Sequence, residues 1–233
     1  MKIRASIVLS IAFILAFMSN VFADDVDNVA NRAYCNPYDI ELKKSVIRIN
    51  DKESFNGSGV VLAQGMVLTA YHVVDEIPKE NLYIDVEGEL RKAVLVRFDV
   101  KLDLALLYVD TKGLDSIPLG EHTLIRGDYV WAVGFAAGGP LRSSLGTIQY
   151  KQGPDYISDN YVRRGSSGGA LLYCNKRRAS LVGIVLALYE ETYGGVFSNA
   201  GVAKSVGLKD ILDFLLRKHD NQASPDKEDN KNN

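Results

Sequence analysis

Gly165-Ser166-Ser167-Gly168-Gly169-Ala170-Leu171 sets Ser167 in a Gly-x-Ser-Gly-Gly frame, immediately ahead of an apolar run. A serine hydroxyl is a weak nucleophile at neutral pH. It needs an imidazole to take its proton, and a carboxylate to hold that imidazole in the right tautomer. Glycines on both sides allow the tight turn that aims backbone N–H groups at a developing oxyanion. Working outward from this stretch, two earlier segments supply the missing groups: Leu68-Thr69-Ala70-Tyr71-His72-Val73-Val74 and Leu102-Asp103-Leu104-Ala105-Leu106-Leu107. His72, Asp103 and Ser167 are the candidate catalytic residues, with the N–H groups of Gly165 and Ser167 as the expected oxyanion donors. His122 and His219 are poorer bases, one in a connection and the other at a helix end. Taken singly, each of the three has an ordinary structural explanation. It is their combination, in this order, that points to acyl-transfer chemistry.

The segments between these residues have the texture of short strands. Ser45–Asn50, Gly59–Ala63, Met66–Thr69, Asn81–Val86, Leu90–Arg97 and Leu104–Val109 are rich in β-branched and apolar residues and are separated by turn formers. A connection near Thr111–Gly127 leads to a second series: Tyr129–Gly134, Ser143–Tyr150, Tyr156–Asp159, Gly169–Cys174, Ser180–Leu188 and Gly201–Lys204. Six strands followed by six more predict an all-β fold of two six-stranded antiparallel barrels, about 45–110 and about 128–204. One helix is expected over about 205–218. Ser205 would cap it, and Val206, Leu208, Ile211, Leu212, Leu215 and Leu216 fall at helical spacing.

The ends of the chain read differently. Lys2 and Arg4 precede the apolar run Ile7–Phe17, and Val21-Phe22-Ala23 offers small residues for a signal peptidase, so residues 1–23 are expected to direct export and be removed after Ala23. The alternative, a retained anchor, would need about 20 apolar residues. No stable membrane span is expected after cleavage. Residues 24–44 form a polar arm, and 220–233, ending Asp-Asn-Lys-Asn-Asn, lack large apolar side chains and are expected to be a disordered tail. Outside the cytoplasm Cys35 and Cys174, the chain's two cysteines, can form a disulfide between the arm and the segment after Ser167; two unrelated thiols are the alternative. The formal net charge of −2 argues against a nucleic-acid partner. With neither an HExxH nor paired CxxC motifs, no metal or other cofactor is expected.

With these residues in place, the stretch from about Ser45 to Phe214 resembles the trypsin-like, chymotrypsin-fold serine proteases, in particular the Deg/HtrA-type protease domain. Gly57-Ser58-Gly59-Val60, Gly65 and the His72 block, Asp103-Leu104-Ala105-Leu106-Leu107, Val130-Trp131-Ala132-Val133-Gly134 with Gly146-Thr147-Ile148, Asp159, and Leu181-Val182-Gly183-Ile184-Val185 carry the resemblance. It implies one protease domain over 45–219, a His-Asp-Ser order as in chymotrypsin, and Ser167 rather than Ser166 as nucleophile. Ser166 departs from the Asp or Asn usual before the nucleophile, Arg163 and Arg164 crowd the same loop, and no PDZ domain is expected after the helix.

The resemblance also implies that Tyr161 lies at the base of the pocket for the side chain before the scissile bond, with Leu186, Ala187 and Leu188 on one wall and Gly201 on the other. None of these is charged, so small or medium apolar side chains are expected. The implied activity is that of an exported, periplasmic or secreted serine endopeptidase acting on proteins or peptides. A catalytically inactive binding module and an esterase on the same scaffold are the competing readings. The sequence does not give the oligomeric state.

Overall fold

The computed structural model describes residues 42–175, 178–193 and 196–217, and for residue 43 and for 187–193 and 196–201 it describes the backbone alone. The expected signal segment, most of the arm, Cys35 and the C-terminal tail lie outside the described residues.

Two antiparallel β assemblies account for most of the described chain. The first comprises β1 (Val46–Asn50), β2 (Phe55–Ala63), β3 (Met66–Ala70), β4 (Tyr83–Val86), β5 (Glu89–Lys92), β6 (Val94–Asp99) and β7 (Leu104–Tyr108), ordered β5-β4-β1-β2-β3-β7-β6. Its end strands do not pair, so it is a curved seven-stranded sheet rather than a closed six-stranded barrel. The extra strand arises because the expected strand Leu90–Arg97 breaks at Ala93. That residue is buried and donates its N–H to the Leu82 carbonyl at 2.9 Å, which turns the chain from β5 into β6.

The second assembly comprises β8 (Tyr129–Gly134), β9 (Arg142–Gln152), β10 (Asp155–Ser158), β11 (Ala170–Asn175), β12 (Arg178–Tyr193) and β13 (Val196–Gly207). It closes as β10-β13-β12-β11-β8-β9, a six-stranded barrel with no free strand edge. Leu124, Val130, Ala132, Ile148, Val182 and Val185 fill its interior. Gly183 pairs with Leu171 but Leu181 with Leu172, so β12 carries one extra residue there; the bulge resets the alternation, and Leu181, Ile184 and Leu186 all join Val133 and Leu172 in a core continuous with that of the first sheet.

Helix α1 (Leu208–Leu216) buries Ile211 and Phe214 in this shared core. Its N-cap is Gly207; Ser205 does not cap it. Ser205 instead pairs with Tyr156 and Val185 inside β13, where ladder hydrogen bonds engage its backbone and its side chain is fully buried. At the other end, Arg97 of β6 donates to the Phe214 carbonyl at 2.6 Å and Arg217 pairs with Asp99 at 2.6 Å, tying the helix to the first sheet. The seam between sheet and barrel is thus apolar and fixed, and the site lies along it.

Candidate active site

β3 and β7 pair with Ala70 opposite Leu104. The residues just beyond that pair, His72 in the single helical turn Tyr71–Val73 and Asp103 in the turn before β7, therefore emerge at the same end of the sheet. Three hydrogen bonds join them. The Asp103 carbonyl accepts the Tyr71 N–H at 3.0 Å, its Oδ1 accepts the His72 N–H at 2.9 Å, and its Oδ2 lies 2.7 Å from His72 Nδ1. Asp103 adopts φ 54°, a left-handed conformation that costs a non-glycine residue roughly 1 kcal/mol and that these bonds hold in place. Tyr71 stacks on Phe98 with centroids 4.6 Å apart, which fixes the turn from the other side.

The His72 side chain is 45% exposed, with Nδ1 held by Asp103. Its pKa is raised above 6.5, first by the hydrogen bond it donates to Asp103 and then by the charges of Asp103 and Asp75; partial burial opposes the rise.

Ser167 lies in the connection between β10 and β11. Gly165 (φ 89°) and Gly168 (φ 80°) take left-handed conformations on either side of it, as the Gly-x-Ser-Gly-Gly frame requires. The Ser167 carbonyl accepts the Ser58 N–H from β2 at 2.8 Å, so the loop of the barrel is anchored on the first sheet. A Cβ added at Gly57 would fall 2.7 Å from Val73 Cγ2 and 3.0 Å from the Ser167 carbonyl oxygen. The turn carrying His72 and the loop carrying Ser167 therefore meet across Gly57, where only glycine leaves room. Among the described residues no hydrogen bond joins His72 Nε2 to Ser167 Oγ, and the N–H groups of Gly165 and Ser167 have no acceptor.

Ser166, where Asp or Asn was expected from the resemblance, is 7% exposed and turned inward. Its N–H donates to the Arg163 carbonyl at 2.9 Å and its carbonyl accepts from Gly169 at 3.0 Å. Arg163 and Arg164 are both exposed, and Arg163 lines the cleft beside the loop.

A cleft of about 640 Å³ lies beside this loop, lined by Ala132 and Gly134 of β8, by Tyr161, Val162 and Ser166, and by Val185 of β12. Tyr161 lines the cleft and is 59% exposed. Leu186 is not a wall residue; it is 2% exposed in the shared core, because it points to the opposite side of β12 from Val185. The side chains at 187, 188 and 201 lie outside the described residues. The cleft also has a charged component that the sequence reading left out, since Arg142 and Arg163 line it.

Two further residues matter that the sequence reading did not single out. Ser58, fully buried, donates its hydroxyl to the Gly165 carbonyl at 2.7 Å and accepts the Phe135 N–H at 2.9 Å. Arg48 is a lone charge in the apolar strand β1, and that oddity was its only signal. Its guanidinium reaches the loop after β8, donating to the Gly138 and Gly139 carbonyls at 2.7 and 2.6 Å. Cys174 lies on β11 opposite Ala179. Among the described residues no cluster of three His, Cys, Asp or Glu side chains could hold a metal ion.

Comparison with known proteins agrees with this geometry. The family model of the trypsin-like peptidase domain matches residues 57–184. A probable periplasmic serine endoprotease, DegP-like, of Chlamydia trachomatis is 26% identical over 211 residues, 86% of this chain and 41% of that protein. A probable periplasmic serine protease, do/HhoA-like, of Haemophilus influenzae is 33% identical over 175 residues, 68% of this chain and 36% of that protein. The chain thus spans less than half the length of these relatives. Among solved structures, the active form of the Rv3671c protease from M. tuberculosis superposes with a TM-score of 0.65 at 20% identity, over 77% of this chain and 83% of that one. The serine endoprotease from Yersinia pestis gives 0.62 at 23% identity, over 75% and 63%. The chain belongs to the trypsin-like peptidase family, and its curated relatives are serine proteases of the Deg/HtrA type.

Proposed function

We propose that the chain is an exported serine endopeptidase in which His72, Asp103 and Ser167 form the catalytic triad. The observation that carries this reading is the three-point attachment of Asp103 to the His72 turn, next to the serine loop anchored on Ser58. Ser167 Oγ attacks the peptide carbonyl, forming an O–C bond, while its proton passes to His72 Nε2. Asp103 keeps Nδ1 protonated and stabilises the imidazolium. The tetrahedral oxyanion lies against the unspent N–H groups of Gly165 and Ser167. The C–N bond then breaks, His72 gives its proton to the leaving amine, and an acyl-enzyme remains. Water, deprotonated by the same imidazole, releases the acid and restores the serine.

Export to the periplasm or beyond rests on the leader-like residues 1–23 and on the periplasmic names of the relatives. In that compartment Cys35 and Cys174 are proposed to be disulfide-bonded, fixing the arm to β11. Alkylation with and without reductant, read by mass spectrometry, tests the bond. The alanines, glycines and valines of the cleft suit a small or medium apolar side chain; its arginines do not, and they are taken up below. The experiment for the activity is digestion of an unfolded protein by the mature chain beside its Ser167→Ala variant. Fragments from the first and none from the second are expected; equal digestion, or none from either, overturns the reading.

A further inference from the structure

The cleft beside the serine loop is asymmetric in charge. Its two ionisable cations, Arg142 and Arg163, face no carboxylate: neither guanidinium has an ion-pair partner among the described residues, and no Asp or Glu lines the cleft. The nearby Asp159 is already committed. Its carboxylate accepts from the Thr147 N–H, the Thr147 hydroxyl and Gln149 Nε2.

Arg163 is also held ready. Its Nε donates to the Tyr161 hydroxyl at 2.7 Å and its guanidinium carbon lies 5.4 Å from the centroid of that ring, which leaves both terminal nitrogens for another acceptor. Tyr161 in turn donates its backbone N–H to Ser144 Oγ at 2.7 Å, so its backbone is tied to β9. A planar fork with free donors and an apolar floor of Ala132, Val162 and Val185 fit a carboxylate on a short aliphatic stem. Guanidinium and carboxylate match bidentately, and an apolar floor strengthens the attraction relative to open water.

Resting on the peptidase reading above, we infer that this cleft receives an acidic side chain, Glu or Asp, of the residue before the scissile bond, and that Arg163 and Arg142 determine this specificity. The inference replaces the apolar preference expected from Leu186 and its neighbours, since Leu186 is withdrawn into the core.

Binding and cleavage are measured separately. In the Ser167→Ala chain, calorimetry compares three N-acetylated, C-amidated peptides that differ at one position, Glu, Gln or Val. The Glu peptide should bind about tenfold tighter than the Gln peptide, with the advantage shrinking as salt rises. Arg163→Gln and Arg142→Gln, each with unchanged thermal unfolding, should shrink it as well. Arg126→Gln, at an exposed arginine that does not line the cleft, lowers the net charge equally and should leave it intact. Equal binding of Glu and Gln peptides, tighter binding of Val, or an equal response to Arg126→Gln overturns the inference. So does binding that requires a free C-terminal carboxylate instead of the side chain. The wild-type chain is then given the same peptides. Cleavage with no preference for Glu sinks the inference and keeps the peptidase reading, whereas Glu-selective binding with no cleavage of any peptide keeps the cleft as an acidic side-chain site but sinks the peptidase reading and, with it, the placement before a scissile bond.

Discussion

The carbonyl of Arg164 accepts the N–H of Ala137 at 2.6 Å. In a trans peptide the C=O and the following N–H point opposite ways, so this bond sets the direction of the Gly165 N–H, the proposed oxyanion donor. Ala137 sits at φ 53° in a turn that Arg48 grips through the carbonyls of Gly138 and Gly139. The guanidinium carbon lies 4.6 Å from the Phe135 ring centroid and 5.5 Å from that of Phe55, which hold the fork flat. A residue of the first sheet thereby positions a donor in the second barrel. Arg48→Met should lower kcat about tenfold or more, short of the roughly 10²–10³ lost with an oxyanion donor itself. KM should change little, because the interaction forms in the transition state. Arg48→Lys should recover part of the loss. A raised KM with unchanged kcat would contradict this role.

The His72–Asp103 pair predicts the pH profile. His72 acts as base only when neutral, and its pKa stands above 6.5 through the Asp103 hydrogen bond first. Activity should therefore fall as pH drops through a midpoint above 6.5. Asp103→Asn removes the main cause of the rise, so its midpoint should move down while turnover falls roughly 10⁴-fold. Stability has the opposite sign. A raised folded-state value favours folding below the unfolded pKa, and this gain is lost as pH rises through the folded value. With the imidazole 45% exposed, the contribution is small. Initial rates and urea midpoints across pH check both statements.

Ser58→Ala should destabilise the chain by about 1–3 kcal/mol, because the partly buried Gly165 carbonyl and Phe135 N–H lose their shared partner. The measurement is the urea unfolding midpoint, and a shift below about 0.5 kcal/mol would mean that water replaces the hydroxyl there.

Gly168→Ala should be worse. The backbone is left-handed at this position, and the new methyl would collide with the Ser58 carbonyl and the Thr69 hydroxyl. A loss of roughly 2–4 kcal/mol, with activity abolished, is expected from thermal unfolding and peptide cleavage. Gly153→Ala, where φ is positive but nothing lies within 4 Å, should cost only about 1 kcal/mol and spare activity.

What could be read from the sequence was local. Strand periodicity gave the two β assemblies, and the glycines around Ser167 foretold a loop that needs positive φ. His72 and Asp103 were legible as flanks of apolar strands, and strand pairing of Ala70 with Leu104 brings them together. Long-range polar contacts were not legible. Arg48 meets a loop 90 residues away, and nothing local to β1 names that partner. Leu186 departs from the expected cleft wall on parity: Val185 and Leu186 are neighbours, but adjacent strand residues face opposite sides, so one step moves a side chain from cleft to core. Ser205 failed as a cap because β13 runs on through it to Gly207, and ladder pairing outweighs a local capping preference.

The proposed triad is tested most directly by a fluorophosphonate probe, followed by peptide mapping of the adduct. The account predicts a phosphonylated Ser167 in the wild-type chain, at a rate that falls below the His72 midpoint and collapses in His72→Ala. A chain with unaltered folding that leaves Ser167 unmodified, or that labels at the same rate without His72, would contradict it.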